Sequence, residues 1–220
     1  MAVFVPNLTS RLIVDAVCSV APEETWIWAE LGCGDGWISS TLVDVTSLTV
    51  ENLTLSDLSV EAISAAEARF GSRIAKNQLT VGPGGEHLGQ GDNDLIICDI
   101  AAISDLFCTL YDWYDGVPAD CGLDGLSNLR SSLPCIAKAL KPGGIAVFPV
   151  ISLSDTDALL RLLDEHFDKV VVSNRTTWPL PTKPEVPEWL EAELKEAGMQ
   201  PPHIKYGRRL AWTSTAICTV

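Results

Sequence analysis

The sequence predicts an α/β fold: a doubly wound, mostly parallel sheet of seven strands with an antiparallel last strand, flanked by helices. Three observations predict it. Apolar runs of strand length alternate with amphipathic stretches of helical length along the chain. A turn rich in glycine, Gly32-Cys33-Gly34-Asp35-Gly36, joins the first strand to a helix. The 220 residues are 47% hydrophobic and 20% charged, a balance that can bury a sizeable core and argues against disorder.

Each element follows from its pattern. Residues 10–20 read as a helix, 25–31 as the first strand and 37–43 as the next helix. A second strand is expected over 48–55, a helix over 59–70 and a short strand over 79–81. The run Asp94-Leu95-Ile96-Ile97-Cys98-Asp99 reads as a buried strand. A helix over 128–140 leads through Lys141-Pro142-Gly143-Gly144 into a strand over 145–150. A helix over 155–166 and strands over 169–173 and 210–219 complete the pattern. The proline-rich piece over 178–187 is expected to be irregular, because proline removes donors and fixes the backbone. A short helix over 188–197 follows it. The whole, 1–220, reads as one domain, with the proline-rich piece a surface insertion.

Charge and composition exclude several function classes. The net charge of −14 repels polyanions, and the one small basic group, Lys205, Arg208 and Arg209, does not offset it, so nucleic acid is not the expected substrate. No apolar run approaches the roughly 20 residues needed to span a bilayer. The first residues lack the basic start and apolar stretch of an export signal. A cytoplasmic protein is the expectation. The seven cysteines show no Cys-x-x-Cys and no spacing suited to zinc, so reduced thiols and no metal are expected.

The chemistry is carried by three strings. The first strand ends at Glu30 and turns through Gly32, Gly34 and Gly36 into a helix, where bare amides can face a ligand's polar atoms. Asp57 falls about twenty residues later, where a carboxylate can accept bonds from both hydroxyls of a ribose. As an alternative it would only cap the following helix. Leu140-Lys141-Pro142-Gly143-Gly144 before a hydrophobic strand speaks for the fold and not for chemistry. The glycines fall at every second position, whereas a dinucleotide fingerprint spaces them as G-x-G-x-x-G. An NAD-type ligand is therefore disfavoured.

Together these strings resemble the class I S-adenosylmethionine-dependent methyltransferases, a Rossmann-like family. Glu30 to Gly36 looks like its first motif, and Asp57-Leu58-Ser59-Val60-Glu61-Ala62 like its second. Phe4-Val5-Pro6-Asn7-Leu8-Thr9 and Gly122-Leu123-Asp124-Gly125-Leu126 are similar to segments of the release-factor glutamine methyltransferases and their small relatives. That group carries Asn-Pro-Pro-Tyr after its fourth strand; this chain has Asp99-Ile100-Ala101-Ala102 instead, so a different acceptor is expected. The chain also starts too late for the separate helical substrate domain of the bacterial enzymes.

The resemblance implies S-adenosyl-L-methionine as cofactor, held by Glu30, Gly32, Cys33, Gly34, Gly36, Asp57 and Leu58, with Glu86 and His87 beside the adenine. Asp99 would touch cofactor and orient or deprotonate a nucleophile; its plainer reading is a helix cap. Tyr111 and Tyr114, in an aromatic segment after that strand, are the other catalytic candidates, or else a hydrophobic plug. The tryptophans of the first strand read as packing, and Trp178 says nothing about chemistry. The expected activity is methyl transfer to nitrogen or oxygen of a small molecule. The alternatives are a protein tail as acceptor, non-methyl use of the cofactor by cyclisation or aminocarboxypropyl transfer, and a silent binding module.

Overall fold

The computed structural model describes residues 6–111, 119–173, 175–180, 188–197, 199, 203–205 and 208–220. Helix α1 spans Leu8–Ser19 and starts two residues earlier than its periodicity suggests. Asn7 explains the early start: its side chain accepts from the amides of Thr9 and Ser10, while Ser10 Oγ accepts from the Asn7 amide. Strand β1, Trp28–Leu31, is buried throughout and feeds helix α2, Trp37–Val45. Strand β2 spans Leu53–Asp57, not 48–55. Residues Val50–Asn52 instead form a 3₁₀ turn, whose carbonyls the Gln78 amide serves at Val50 (2.6 Å) and, just beyond it, at Leu53 (2.7 Å).

Helix α3, Val60–Phe70, is capped by Ser59, and β3 is Leu79–Val81. Strand β4, Asn93–Cys98, is followed by α4, Asp105–Tyr111, and α5, Ser127–Ala139. Strand β5 covers Leu140–Ile151. The expected turn Lys141-Pro142-Gly143-Gly144 lies inside it as a bulge: Asn93 pairs with Leu140, but Leu95 pairs with Ile145. Helix α6, Thr156–His166, takes Asp155 as its cap, and β6 is Lys169–Val172.

The piece expected to be irregular begins in a strand. Strand β7 is Thr176–Pro179 and includes Trp178; Pro179 is tolerated because it ends the strand, which among the described residues pairs only with β9. Most of that piece, 181–187, lies outside the described residues. Helix α7, Glu188–Glu196, strand β8, His203–Lys205, and strand β9, Arg208–Thr219, complete the chain.

The sheet runs β3-β2-β1-β4-β5-β9-β6. Pairs among β1 to β5 are parallel, and β9 runs antiparallel to β5 and β6. This is the expected seven-stranded frame. Strands β7 and β8 add to it on the early half of β9. Because both faces are covered, β4 divides its side chains by alternation. Leu95 and Ile97 join the core under α1, α2 and α3, while Ile96 and Cys98 join the core under α5 and α6. A third cluster gathers Ile103, Phe107 and Tyr111 with Leu153, Leu180, Leu190 and Leu194. Among the described residues no helix is long and apolar enough to cross a membrane.

Candidate functional site

The first crossovers leave β1 toward β2 on one side and reach β4 on the other, so a crevice opens beyond the strand ends between them. A cavity sits there, with about 1350 Å³ of atom-free space including its open mouth. Its walls include Gly32, Cys33, Gly34 and Asp35 after β1, Ser56, Asp57 and Leu58 after β2, and Gly82, Pro83 and Gly84 after β3. Residues 99–103 after β4, Pro149 and Ile151 of β5, Trp178 of β7, and Asn128, Ser131 and Ser132 of α5 also line it, with Pro6, Asn7, Thr9 and Ser10 at the start of α1.

The glycine loop is locked to β2. The amides of Gly32 and Cys33 both donate to the Ser56 carbonyl, at 2.9 and 3.0 Å. The Gly34 amide donates to Asp57 Oδ2 at 2.9 Å, and the Ser59 amide to Asp57 Oδ1 at 2.9 Å. Glycine is required at position 32: φ is +73°, and a Cβ there would lie 2.6 Å from the Asp99 carbonyl oxygen. Gly36 stands behind the loop, in the left-handed cap position of α2, where a Cβ would meet the Phe70 ring at 3.0 Å.

Four carboxyl groups among the described residues line the cavity, each in different surroundings. Glu30 is buried, and its Oε2 accepts from both the amide and the hydroxyl of Ser39 in α2. Burial pushes its carboxyl up to about 8; the Ser39 bonds pull against this, and the charges of Asp99 and Asp35 add to it. Glu30 is thus a largely protonated strut between β1 and α2. Asp35 pairs with Arg69. Asp57 serves two backbone amides. Asp99 holds β1 through its amide, which donates to the Leu31 carbonyl at 2.9 Å, but among the described residues nothing donates to its carboxylate. Burial, with the Asp57 charge adding to it, pushes that group up to about 7. Asp99 caps no helix, since α4 starts only at Asp105.

Of the residues singled out from sequence, Glu30, Gly32, Cys33, Gly34, Asp57, Leu58 and Asp99 meet at this cavity. Glu86 and His87 do not: both are exposed, and Gly82 to Gly84 line the wall in their place. Tyr111 is packed into the third cluster, away from the cavity lining, and Tyr114 lies outside the described residues. Three lining residues carried no motif. Ser56 is buried, and its Oγ is without a hydrogen-bond partner among the described residues. Asn128 of α5 donates to the Ala101 carbonyl at 3.3 Å. Trp178 is brought in by β7, its Nε1 donating to Thr213 Oγ1 at 3.0 Å. A polar residue in an apolar strand was the available signal for Ser56. For Trp178 none was, because its position depends on pairing with Ala211 far along the chain.

Solved structures share this frame. A ribosomal protein L11 methylase from Lactobacillus delbrueckii subsp. bulgaricus superposes with a TM-score of 0.57 at 15% identity, over 98% of this chain and 80% of that one. The fold is that of the S-adenosylmethionine-dependent methyltransferases. A 1,6-didemethyltoxoflavin N1-methyltransferase from Burkholderia thailandensis, solved with S-adenosylhomocysteine, matches at a TM-score of 0.52 and 13% identity, covering 97% and 79% of the two chains. A tRNA (m1A58) methyltransferase from Aquifex aeolicus matches at 0.53 and 11%, covering 100% and 71%. No protein-family model matches the chain, and no curated protein matches it by sequence. Among the described residues no group of His, Cys, Asp or Glu is placed to hold a metal.

Proposed function

We propose that the protein is an S-adenosylmethionine-dependent methyltransferase acting on nitrogen or oxygen of a small molecule. One observation carries the reading: a glycine loop tied to Asp57 and packed against Asp99 lines a cavity at the switch point of this fold. The donor set suits that cofactor. A sulfonium nucleoside with an amino-acid end carries net positive charge, and among the described residues the cavity lining includes Asp35, Asp57 and Asp99 but no Lys, Arg or His. The orphaned Ser56 hydroxyl adds a polar group that awaits a partner, as ligand walls often do.

In this reading the loop from Gly32 to Gly34 holds the methionine end, with Glu30 supporting it through α2, and Asp57 receives the ribose hydroxyls with the oxygen lone pairs left beside its two backbone bonds. Gly82 to Gly84 and Leu58 flank the base. Glu86 and His87 would reach it only from outside the present walls. When bound, the cofactor supplies a methyl group already activated by its sulfonium. The protein's own work is then alignment and exclusion of water, which Ile100, Ala102 and Ile103 favour by their apolar character. Asp99 receives a proton from an acceptor hydroxyl or amine at its free carboxylate. Tyr111 would act only through the packing of α4.

The test is incubation with labelled S-adenosylmethionine and identification of the thio-product. S-adenosylhomocysteine is expected. Methylthioadenosine would instead point to cyclisation or aminocarboxypropyl transfer, a reading kept by the unusual Asp99-Ile100-Ala101-Ala102 segment. Absence of binding would remove the proposal.

A further inference from the structure

The cavity has two unlike halves. On the side of β2 and β3 its walls are mixed: Ser56, Asp57, Ser59, Gly82 and Gly84 stand there with Leu58, Ala62 and Pro83. On the side of β5 and β7 they are apolar: Ile103, Pro149, Ile151 and Trp178, with Ile100 and Ala102 next to them. Asp99 stands between the halves, at the end of β4. Resting on the methyltransferase reading, we propose that the apolar half takes an acceptor with a ring-sized apolar body and a basic nitrogen, whose N–H groups the Asp99 carboxylate receives.

Charge selects the nitrogen. A carboxylate or phosphate acceptor would be buried beside Asp99 and Asp57 with no Lys, Arg or His among the described lining residues to offset it. A hydroxyl could donate to the same carboxylate, but it brings no opposite charge to offset it. An ammonium gains both the bond and the opposite charge. Asp99 is suited to this because no donor among the described residues occupies it. The rest of the segment is held in place for it: the Asn128 amide grips the Ala101 carbonyl, and the Asp99 amide is fixed to β1.

Shape selects the body. Trp178 adds indole carbon to the wall, and its orientation is set by the bond from Nε1 to Thr213, itself fully buried in β9. Ile103 and Ile151 belong to the third hydrophobic cluster, with Trp178 packed against it, so this wall is continuous with a packed core and not a loose flap. Such a surface rewards a flat apolar ligand over an extended polar one. Ser56 is the independent sign that the cavity is built for a ligand: its buried Oγ, unpartnered among the described residues, lies in the opposite wall.

The experiment is calorimetry with 2-phenylethylamine, 2-phenylethanol and phenylacetate, on the protein alone and on protein saturated with S-adenosylhomocysteine. The amine is expected to bind at least about tenfold more tightly than the alcohol, and phenylacetate the most weakly. Asp99→Asn should abolish the preference for the amine over the alcohol. Trp178→Ala should weaken amine and alcohol alike. Equal binding of the three probes, binding of none of them, or an amine preference that survives Asp99→Asn would overturn the proposal. Failure of S-adenosylhomocysteine to bind would strike the methyltransferase reading instead, and the probe titrations on the protein alone separate the two.

Discussion

Asp57 shows how one side chain can serve both scaffold and site. Its two oxygens tie the Gly34 and Ser59 amides and still keep lone pairs toward the cavity. Asp57→Asn keeps one acceptor, whereas Asp57→Lys removes both and reverses the charge. Affinity for S-adenosylmethionine is expected to fall by about tenfold or more for the reversal and less for the amide, read by calorimetry. Gly32→Ala meets two obstacles, a positive φ and the Asp99 carbonyl oxygen 2.6 Å from the new Cβ. A loss of about 2–4 kcal/mol in a denaturant titration is expected. Asp99 is pushed up to about 7, so near neutral pH it is only partly ionised. Binding of a basic amine should therefore strengthen about tenfold from pH 6 to pH 8, as the carboxylate forms. Asp99→Asn should flatten that profile. The Asp57 charge adds to the rise at Asp99, and the Asp99 and Asp35 charges add to that at Glu30.

At the scale of elements, the patterns that read cleanly are those with a local cause. α3 and α6 carry their caps, Ser59 and Asp155, in the sequence, and β4 announces itself as an uninterrupted apolar run. The errors have non-local causes. The start of β2 is displaced because Gln78, far along the chain, serves the carbonyls of Val50 and Leu53. β7 forms in a proline-rich piece because the open side of β9 is there to pair with it. Helix α5 carries Pro134 inside it, on an exposed face, where the ring removes an amide and crowds the preceding turn. Pro134→Ala should stabilise the protein by about 1–3 kcal/mol, seen as a higher thermal midpoint. A lower midpoint would overturn this expectation.

For the molecule as a whole, the buried Glu30 and the half-buried Asp99 shape the pH dependence of stability. Glu30 and Asp99 ionise in the folded state only near 8 and 7, against ordinary values of 4.5 and 3.8. Across that interval the folded chain binds more protons than the unfolded one, so stability is highest below it and falls as pH rises through it. The denaturation midpoint should therefore drop between pH 5 and about pH 8.5. Glu30→Gln keeps an acceptor for Ser39 and should reduce the drop. A midpoint that rises across this range, or one that Glu30→Gln leaves unchanged in slope, would refute the assignment.

The frame of the molecule was readable in the chain because it rests on short-range rules. Alternating apolar runs, caps and a turn that only glycine can make are properties of neighbours in sequence, and they led to the doubly wound sheet and to Glu30, Gly32, Gly34, Asp57 and Asp99 as residues of one crevice. The apolar wall of that crevice was not readable. Trp178, Pro149 and Ile151 reach it only once β9 has inserted between β5 and β7, and Tyr111 turns away from it because α4 buries that ring among Phe107 and Leu180. Strand pairing and packing between distant segments choose which side chains face a cavity, and no local pattern records that choice.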